Sequence, residues 1–221
     1  MVILKKQSLV DQIYDEIKSL IVDLKVPLGS KLNVSELQEK FGVSSTPIRE
    51  AINRLQKDGI VEYENNIGAK VITLNSKDVQ EIQEVSFALQ TGAIRYSMQK
   101  SNTNKMAEEI KGYINKCKET KSKEEYFSYI NKIANIFYNY ASNSRLIGSA
   151  NLIYAQEAIL SNIFANEINY NDEFKAEHIK EFINLYEALK NKDEIEAMKS
   201  FERNNFKTRD IIIKGIENLK K

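Results

Sequence analysis

Apolar residues recur every three to four positions along most of the chain, a spacing that gathers them on one face of an α-helix. The first segment with this pattern is Ser8–Leu24, where positions 9, 13, 17, 20 and 21 are leucine or isoleucine. Pro27 and Gly29 then interrupt the pattern, because proline and glycine favour turns over continued helix. The pattern therefore predicts an amphipathic first helix followed by a turn.

Two short helices are predicted next, on either side of Gly42. The first, Asn33–Phe41, opens with an asparagine N-cap and has a glutamate three residues later, the pattern of a capping box. Gly42 ends it, since a residue without Cβ adopts the left-handed conformation readily. The second helix opens with serine, threonine and proline, and Gly59 stops it.

The second of these helices has two contrasting faces. One face is apolar and is expected to pack on a core: Ile48, Ala51, Ile52 and Leu55. The opposite face is polar: Thr46, Arg49, Asn53 and Lys57. Two short helices around a glycine turn, the second polar on its outer side, are typical of a helix-turn-helix and its recognition helix. The alternative is a small helical domain that packs such a helix and binds nothing.

Two β-type runs follow, Ile60–Tyr63 and Lys70–Leu74, on either side of Asn65, Asn66 and Gly68. Asparagine and glycine favour the tight turn between antiparallel strands. The runs therefore predict a β-hairpin, the wing of a winged helix-turn-helix domain. We place this domain at residues 1–74 and a short linker at residues 75–77.

Residues 78–221 carry the helical pattern throughout. Six stretches show it: Lys77–Lys100, Asn104–Lys121, Glu124–Ala141, Arg145–Asn166, Asp172–Lys190 and Asp193–Leu219. Ser76 is the expected N-cap of the first stretch. Long helices with short polar connectors predict an antiparallel bundle of six or seven helices. The fold class is therefore mainly α, with the small β-hairpin as its exception.

Composition and missing motifs exclude several classes of protein. The 221 residues are 42% hydrophobic and 29% charged, with a single cysteine, which fits a globular protein in a reducing compartment. No apolar run of about eighteen residues and no signal-peptide core occur, so a cytoplasmic protein without a membrane partner is expected. Phosphate-binding, dinucleotide-binding and zinc-protease motifs are missing, and one histidine leaves little for catalysis. No enzyme is expected.

Charge gives only local support for nucleic-acid binding. The formal net charge of the chain is +1, and residues 1–74 contain ten basic and ten acidic residues. Attraction for phosphate must then come from a local basic face, to which helix N-termini add. That face consists of Lys5, Lys6, Arg49, Arg54, Lys57 and Lys70. Because one such face binds weakly, a homodimer on double-stranded DNA is expected.

The run GVSSTPIREAINRLQKDGIVE, with the preceding LNVSEL and the later NIGAKV, resembles the winged helix-turn-helix domain of the GntR family of bacterial transcription regulators. Pattern and resemblance together assign these residues to DNA contact: Ser44, Ser45, Thr46, Arg49, Asn53, Arg54, Lys57, Gly68 and Lys70. One position departs from the family, which normally has arginine directly before Thr-Pro, where this chain has Ser45. The usual operator sequence is therefore not expected.

The helical half resembles the FCD-like effector domain of the FadR-type branch of that family, through DVQEIQEVSFALQTGAI, NIFYNYASNSRLI and KEFINLYEALKNKDEIEAMKSFERN. Many members of the branch bind a divalent metal through an aspartate and three histidines. Those positions fall on Ala134, Tyr138, Phe182 and Asn204. Because alanine and phenylalanine cannot ligate a metal, no metal and no other cofactor are expected.

The same resemblance implies a small-molecule cavity inside the bundle. Its expected lining is uncharged: Ser86, Gln90, Tyr138, Phe182 and Asn204. Arg95 and Arg203 are the candidate anion partners, although a solvated or dimer-facing role is the alternative for each. His178, the only histidine, is expected as a capping or surface residue. A weakly polar or uncharged effector follows, unless Tyr138 and Phe182 fill the pocket and no effector exists.

These observations predict a sequence-specific DNA-binding transcription regulator. It would bind a short inverted repeat as a dimer and respond to a small-molecule effector; repression and activation both stay open. The alternative is a helical ligand-sequestering or protein-interaction module whose winged helix binds a protein partner. The polar outer face of the second short helix argues against this alternative.

Overall fold

The computed structural model describes residues 7–219, except for the side chains of residues 205 and 206. Lys5 and Lys6, which belong to the expected basic face, lie outside the described residues. The N-terminal part contains the helices and strands α1 (Leu9–Val22), α2 (Val34–Phe41), α3 (Ser45–Lys57), β1 (Val61–Glu64) and β2 (Gly68–Val71). The predicted helix-turn-helix with a following hairpin is confirmed.

Side-chain caps fix the starts of α1 and α2. The Ser8 hydroxyl accepts a hydrogen bond from the Asp11 amide, and the Asp11 carboxylate accepts one from the Ser8 amide, both at 3.1 Å. At α2, the Asn33 side chain accepts a hydrogen bond from the Ser35 amide at 3.0 Å. Glu36 accepts from the side-chain amide of Asn33 at 2.8 Å. The predicted cap is therefore confirmed, but a side-chain pair replaces the backbone bond of a capping box.

Positive φ angles set the end of α2 and the hairpin turn. Gly42 ends α2 with a φ of 66°, in the left-handed region that glycine enters without strain. The two strands pair antiparallel over four residues each. Because Asn66 and Gly68 both have positive φ, the second strand begins at Gly68, two residues before the predicted Lys70.

Within the described residues, six helices form the C-terminal part: α4 (Ser76–Lys100), α5 (Thr103–Glu119), α6 (Lys123–Ala141), α7 (Ser144–Glu167), α8 (Asp172–Lys190) and α9 (Glu194–Leu219). The predicted bounds agree to within two residues. Asn75 rather than Ser76 caps α4, since its side chain accepts from the amides of Lys77 and Asp78. No helix in residues 7–219 combines the length and the apolar character needed to cross a membrane.

The apolar core continues from the N-terminal part into the helical part. One cluster of buried residues joins α1 and α3 to α7 and α9: Ile13, Ile17, Ile21, Ile48, Ile52, Ile159, Ile163, Ile212 and Ile216. Asn162 of α7 also donates a hydrogen bond to the carbonyl of Val22, at 2.7 Å. A second cluster lies inside the helical part and includes Cys117 and Tyr126. Helix α7 therefore packs against both the N-terminal part and the other helices of the C-terminal part.

Candidate nucleic-acid interface and ligand cavity

Helix α3 is anchored by one face and exposed on the other. The anchoring side chains are completely buried: Ile48, Ala51, Ile52 and Leu55. The outer side chains are exposed: Thr46, Arg49, Asn53 and Lys57. Among the described residues, neither Arg49 nor Lys57 forms an ion pair or a side-chain hydrogen bond. A rigid helix thus presents two uncommitted cations, the arrangement needed to contact base edges and phosphates in a groove.

Two other residues expected to contact DNA are already held by carboxylates. Arg54 lies 2.6 Å from Asp11 and 3.0 Å from Glu50, and these hydrogen bonds raise its pKa. Lys70 pairs with Glu64 and, at 3.3 Å, with Glu62. The hydrogen bond that Lys70 donates to Glu64, and then the one to Glu62, raise the pKa of Lys70.

These ion pairs lie at the surface, where each contributes little to stability. They do place negative charge beside both cations, however. Arg54 and Lys70 are therefore less available to phosphate than the sequence suggests.

The start of α3 and the wing complete the surface. Ser44 is the N-cap of α3, and its side chain makes no capping hydrogen bond. Ser45 occupies the first helical position and is partly buried. The first amides of α3 thus keep their capacity to donate to an anion. On the wing, Tyr63 is 48% exposed and donates a hydrogen bond to the Asn53 side chain at 3.3 Å. Gly68 stands at the wing turn, with no atom within 4 Å of where a Cβ would lie.

Two adjacent cavities lie in the helical part, with volumes of about 160 and 280 Å³. Both are lined by Ser86, Asn131, Glu157 and Ser161. The rest of each lining is separate: α9 contributes Asn204, Thr208 and Ile212 to the smaller cavity, and the start of α7 contributes to the larger one. Their combined size and mixed lining are those of a small-molecule site.

Four of the seven expected effector residues line these cavities. Ser86 lines both, Asn204 lines the smaller one, and Gln90 and Tyr138 line the larger one. Gln90 donates a hydrogen bond to the Ala134 carbonyl at 3.2 Å, which fixes its side chain against α6. The carboxamide oxygen of Asn204 is buried and has no hydrogen-bond partner in the described structure.

The structure places the other three elsewhere. Phe182 is 3% exposed, lines neither cavity, and packs edge-on against His178 with the ring centroids 5.6 Å apart. Arg95 lies 2.8 Å from Glu194. Arg203 pairs with Glu181 at 3.0 Å and with Glu196 at 2.6 Å. Both arginines are thus paired with carboxylates outside the cavity lining.

The expectation that His178 is a capping or surface residue is wrong. His178 is 9% exposed and lines the smaller cavity. Its Nδ1 lies 2.7 Å from the Tyr126 hydroxyl, and Phe174 stacks on its ring with a centroid separation of 5.2 Å. Burial, followed by the positive charge of Lys207, lowers the pKa of His178 to about 4. The imidazole is therefore neutral at physiological pH.

Glu157 is a charged lining residue that the sequence analysis did not identify. It lines both cavities, and burial raises its pKa although the neighbouring Ser86 hydroxyl opposes the shift. Its charge also helps to raise the pKa of Tyr138, after the larger effect of burial. The sequence predicted an uncharged lining, and this is wrong because Glu157 brings an ionisable carboxyl group into it. A carboxylate inside an otherwise apolar stretch of α7 was the only available signal.

The described residues contain no group of three or more His, Cys, Asp or Glu side chains with the geometry of a metal site. The cavity accordingly offers hydrogen bonds, one carboxyl group and aromatic surface as its means of recognition.

Comparison with known proteins identifies the N-terminal part. Residues 9–71 match the family described as "Bacterial regulatory proteins, gntR family". The uncharacterized HTH-type transcriptional regulator YdhC of Bacillus subtilis is 26% identical over 190 residues, which cover 82% of this chain and 81% of that protein. A probable D-xylose utilization operon transcriptional repressor of Paenarthrobacter nicotinovorans is 32% identical over 116 residues, covering 52% of this chain and 50% of that protein.

The fold of the whole chain also has a solved counterpart. The structure of E. coli McbR/YncC aligns with a TM-score of 0.74 over 97% of this chain and 99% of that chain, at 19% sequence identity. That likeness covers the helical half as well as the winged helix-turn-helix. Residues 9–71 therefore match the helix-turn-helix domain of the bacterial GntR family, and the relatives that align with this chain are transcription regulators rather than enzymes, which supports the same class for this protein.

Proposed function

We propose that this regulator binds a short inverted repeat as a homodimer and that a small molecule in the cavity of the helical half changes its DNA affinity. The supporting observation is the outer face of α3, where Arg49 and Lys57 are exposed and uncommitted above a completely buried anchoring face. Such a face suits a DNA groove better than an apolar protein partner.

The residues of this surface have different roles in the proposal. Arg49 and Asn53, in the middle of α3, contact base edges. Ser44, Thr46 and the first amides of α3 bind phosphate, and Lys57 binds it at the other end of the helix. Ser45, where the family pattern described above has arginine, changes the preferred sequence. Arg54, Lys70 and Gly68 shape and position the surface, because the two cations already hold carboxylates.

A dimer follows from the weak charge of each protomer and from exposed apolar side chains. Val85 on α4 is 48% exposed, and Leu152 and Tyr154 on α7 are 68% and 54% exposed. Exposed apolar surface of this kind supports self-association. Two-fold symmetry would then place two α3 helices on two half-sites of an inverted repeat.

The two parts of the chain divide the work in this proposal. Residues 1–74 read DNA in the cytoplasm, residues 75–77 link the parts, and residues 78–221 bind the effector and dimerise. Helix α7 connects them, since Glu157 and Ser161 line the cavity while Ile159 and Ile163 pack in the core shared with α1. A ligand that favours one position of α7 would shift DNA affinity, typically by about 1–3 kcal/mol.

Selection of genomic fragments by the purified full-length protein at moderate salt tests the proposal. We expect a subset of fragments to be enriched, with a footprint of two half-sites about one helical turn apart. Light scattering should give a dimer. Uniform recovery of all fragments would reject the regulator function, and a single protected half-site would reject the dimeric arrangement.

A further inference from the structure

Glu157 is the one carboxyl group shared by both cavities, and no cation among the described lining residues balances it. Neither lining contains a lysine or an arginine in the part of the chain that the structure describes. The nearby Arg209 donates to the Gln83 side chain at 2.9 Å, and Lys207 bonds Glu177 and Glu181. A half-buried carboxylate without a counter-charge is unfavourable until a positively charged group approaches it.

A second acceptor lies in the same cavity as Glu157. The carboxamide oxygen of Asn204 is buried and unpartnered among the described residues, and Asn204 lines the smaller cavity beside Thr208 and His178. Buried acceptors are nearly always paired, so an unpaired one at a cavity wall points to a ligand or a water that donates to it. Two acceptors at one cavity call for a ligand with N–H donors.

Aromatic side chains line both of the cavities that Glu157 lines. Phe127 and Phe164 line the smaller cavity, and Tyr138, Tyr154 and Phe201 line the larger one. The face of an aromatic ring attracts a cation, most strongly where water is excluded. The same rings offer an apolar surface to the body of a ligand. A cavity lined by one carboxyl group and several aromatic rings is suited to organic ammonium groups and poorly suited to anions.

We propose that the cavity binds a small organic cation, a compound with a compact apolar body and a protonated amine or amidinium head that pairs with Glu157. The aromatic walls hold the body and the Asn204 carbonyl accepts a further N–H bond. This assignment rests on the proposed effector function and replaces the weakly polar or uncharged ligand expected from the sequence. It also disfavours small carboxylates, which would meet Glu157 with like charge.

Three probes of nearly equal shape and different charge test the assignment: benzamidine, benzamide and benzoate. Ligand-observed NMR titration and thermal shift of the full-length protein give their relative affinities. A pH of about 7.5, roughly one unit above the ordinary pKa of histidine, keeps the imidazole neutral in these measurements. We expect benzamidinium to bind about tenfold or more tightly than benzamide, the ratio typical of a charged hydrogen bond. Benzoate should be the weakest of the three. Equal binding of benzamide and benzamidine, or preferred binding of benzoate, would overturn the proposal.

Variants show whether the preference arises at Glu157. Glu157→Gln keeps the shape and removes the charge, so it should abolish the preference for benzamidine over benzamide. Glu119→Gln, at the exposed end of α5, is the matched control and should leave the preference unchanged. Asn204→Leu removes the second acceptor and should weaken benzamidine binding severalfold. Circular dichroism melts check that each variant is folded, and an unchanged preference in folded Glu157→Gln would overturn the proposal.

The inference and the proposed function fail in different ways. If the protein selects no DNA but prefers benzamidine through Glu157, the cation site stands and the regulatory function falls. If it selects DNA and prefers benzoate, the regulator stands and the cation site is wrong.

Discussion

Gln156 on α7 donates a hydrogen bond from its side-chain nitrogen to the backbone carbonyl of Gly59, across 2.9 Å. Gly59 lies two residues after the end of α3, with a φ of 69°, and a Cβ there would lie 2.6 Å from the Gln156 amide nitrogen. The next residue of α7, Glu157, lines both cavities. Adjacent residues of α7 therefore contact the cavities and the chain just after α3.

Gln156→Ala should loosen the N-terminal part from the helical part. Losing one hydrogen bond and leaving the Gly59 carbonyl unpaired should lower the free energy of unfolding by about 1 kcal/mol. Amide hydrogen exchange should become faster in α1 and α3 than in α5 and α8. Chemical denaturation and exchange followed by mass spectrometry measure these effects.

Asn166→Ala is the matched control for this change. Asn166 lies on the same helix, is exposed, and makes no side-chain hydrogen bond among the described residues. It should leave both stability and exchange near wild type. Faster exchange spread evenly over all helices in Gln156→Ala would contradict a specific connection between the two parts.

Arg49→Ala should weaken specific DNA binding by roughly 1–3 kcal/mol if Arg49 contacts a base edge. Lys70→Ala should have a smaller effect, because Lys70 already pairs with Glu62 and Glu64. Fluorescence anisotropy over a range of salt concentrations separates the two roles, since loss of a phosphate contact lowers the slope of log K against log salt by about one. Lys118→Ala, on the exposed surface of α5, is the control. A larger loss from Lys70→Ala than from Arg49→Ala would reverse the proposed roles.

Ser45→Arg should change which sequence is preferred. Ser45 is the first residue of α3, and arginine at this position would add a long cationic side chain at the start of that helix. Parallel selection with wild-type and variant protein should give different enriched motifs, because an arginine there can pair with guanine. Identical motifs would show that this position does not contact bases.

His178→Gln should flatten the dependence of stability on pH. The folded protein holds the pKa of His178 at about 4, below the unfolded value near 6.5. The unfolded chain therefore binds the proton first, and stability is lost as pH falls from about 6.5 towards 4, by about 3 kcal/mol in total. His178 is the only histidine, so few other groups titrate in the upper part of this window.

Denaturation of wild type and His178→Gln at several pH values measures this difference. Glu157 acts in the opposite direction, because its raised pKa makes its contribution fall as pH rises, but it is present in both proteins. The difference between the two curves isolates the histidine. Parallel curves would mean that His178 is not held neutral.

Gly215→Ala should destabilise the protein, although alanine normally favours a helix over glycine. A Cβ at Gly215 would lie 2.5 Å from Ile163 and 2.8 Å from Glu167, both on α7. We expect a loss of about 1–3 kcal/mol from this overpacking. Gly112→Ala on α5, with no atom within 4 Å, should instead gain about 0.5–1 kcal/mol. Thermal melts give both values, and a gain from both variants would show that α7 and α9 separate easily.

Sequence reasoning located the helices well because their ends depend on local chemistry. Asparagine and serine caps mark where helices start, and glycine in the left-handed conformation marks where they stop. Each of these residues lies next to the helix end that it marks, so the sequence shows it directly. The one displaced cap, at Asn75 instead of Ser76, involves two adjacent residues that can both cap. The faces of α3 were equally readable, since apolar spacing alone determines them.

The cavity was less predictable because it depends on how helices cross. Ser86, Gln90, Tyr138 and Asn204 were placed through family resemblance, and all four line it. Phe182 misses it by lying on a different part of the α8 surface, against His178. The ion pairs that join different helices, Arg95 with Glu194 and Arg203 with Glu181, leave no periodic signal in the sequence. Glu157 was missed because a carboxylate on a helix is usually solvated.

The buried thiol of Cys117 has a practical consequence. Its pKa of about 12 leaves almost no thiolate near neutral pH, and the side chain is completely buried. A maleimide or nitroxide reagent added to the folded protein would thus react with a cysteine introduced at an exposed site and spare the native one. If two protomers associate as proposed, the distance between their labels can then be followed by electron spin resonance, with and without DNA, in a chain that keeps its natural cysteine.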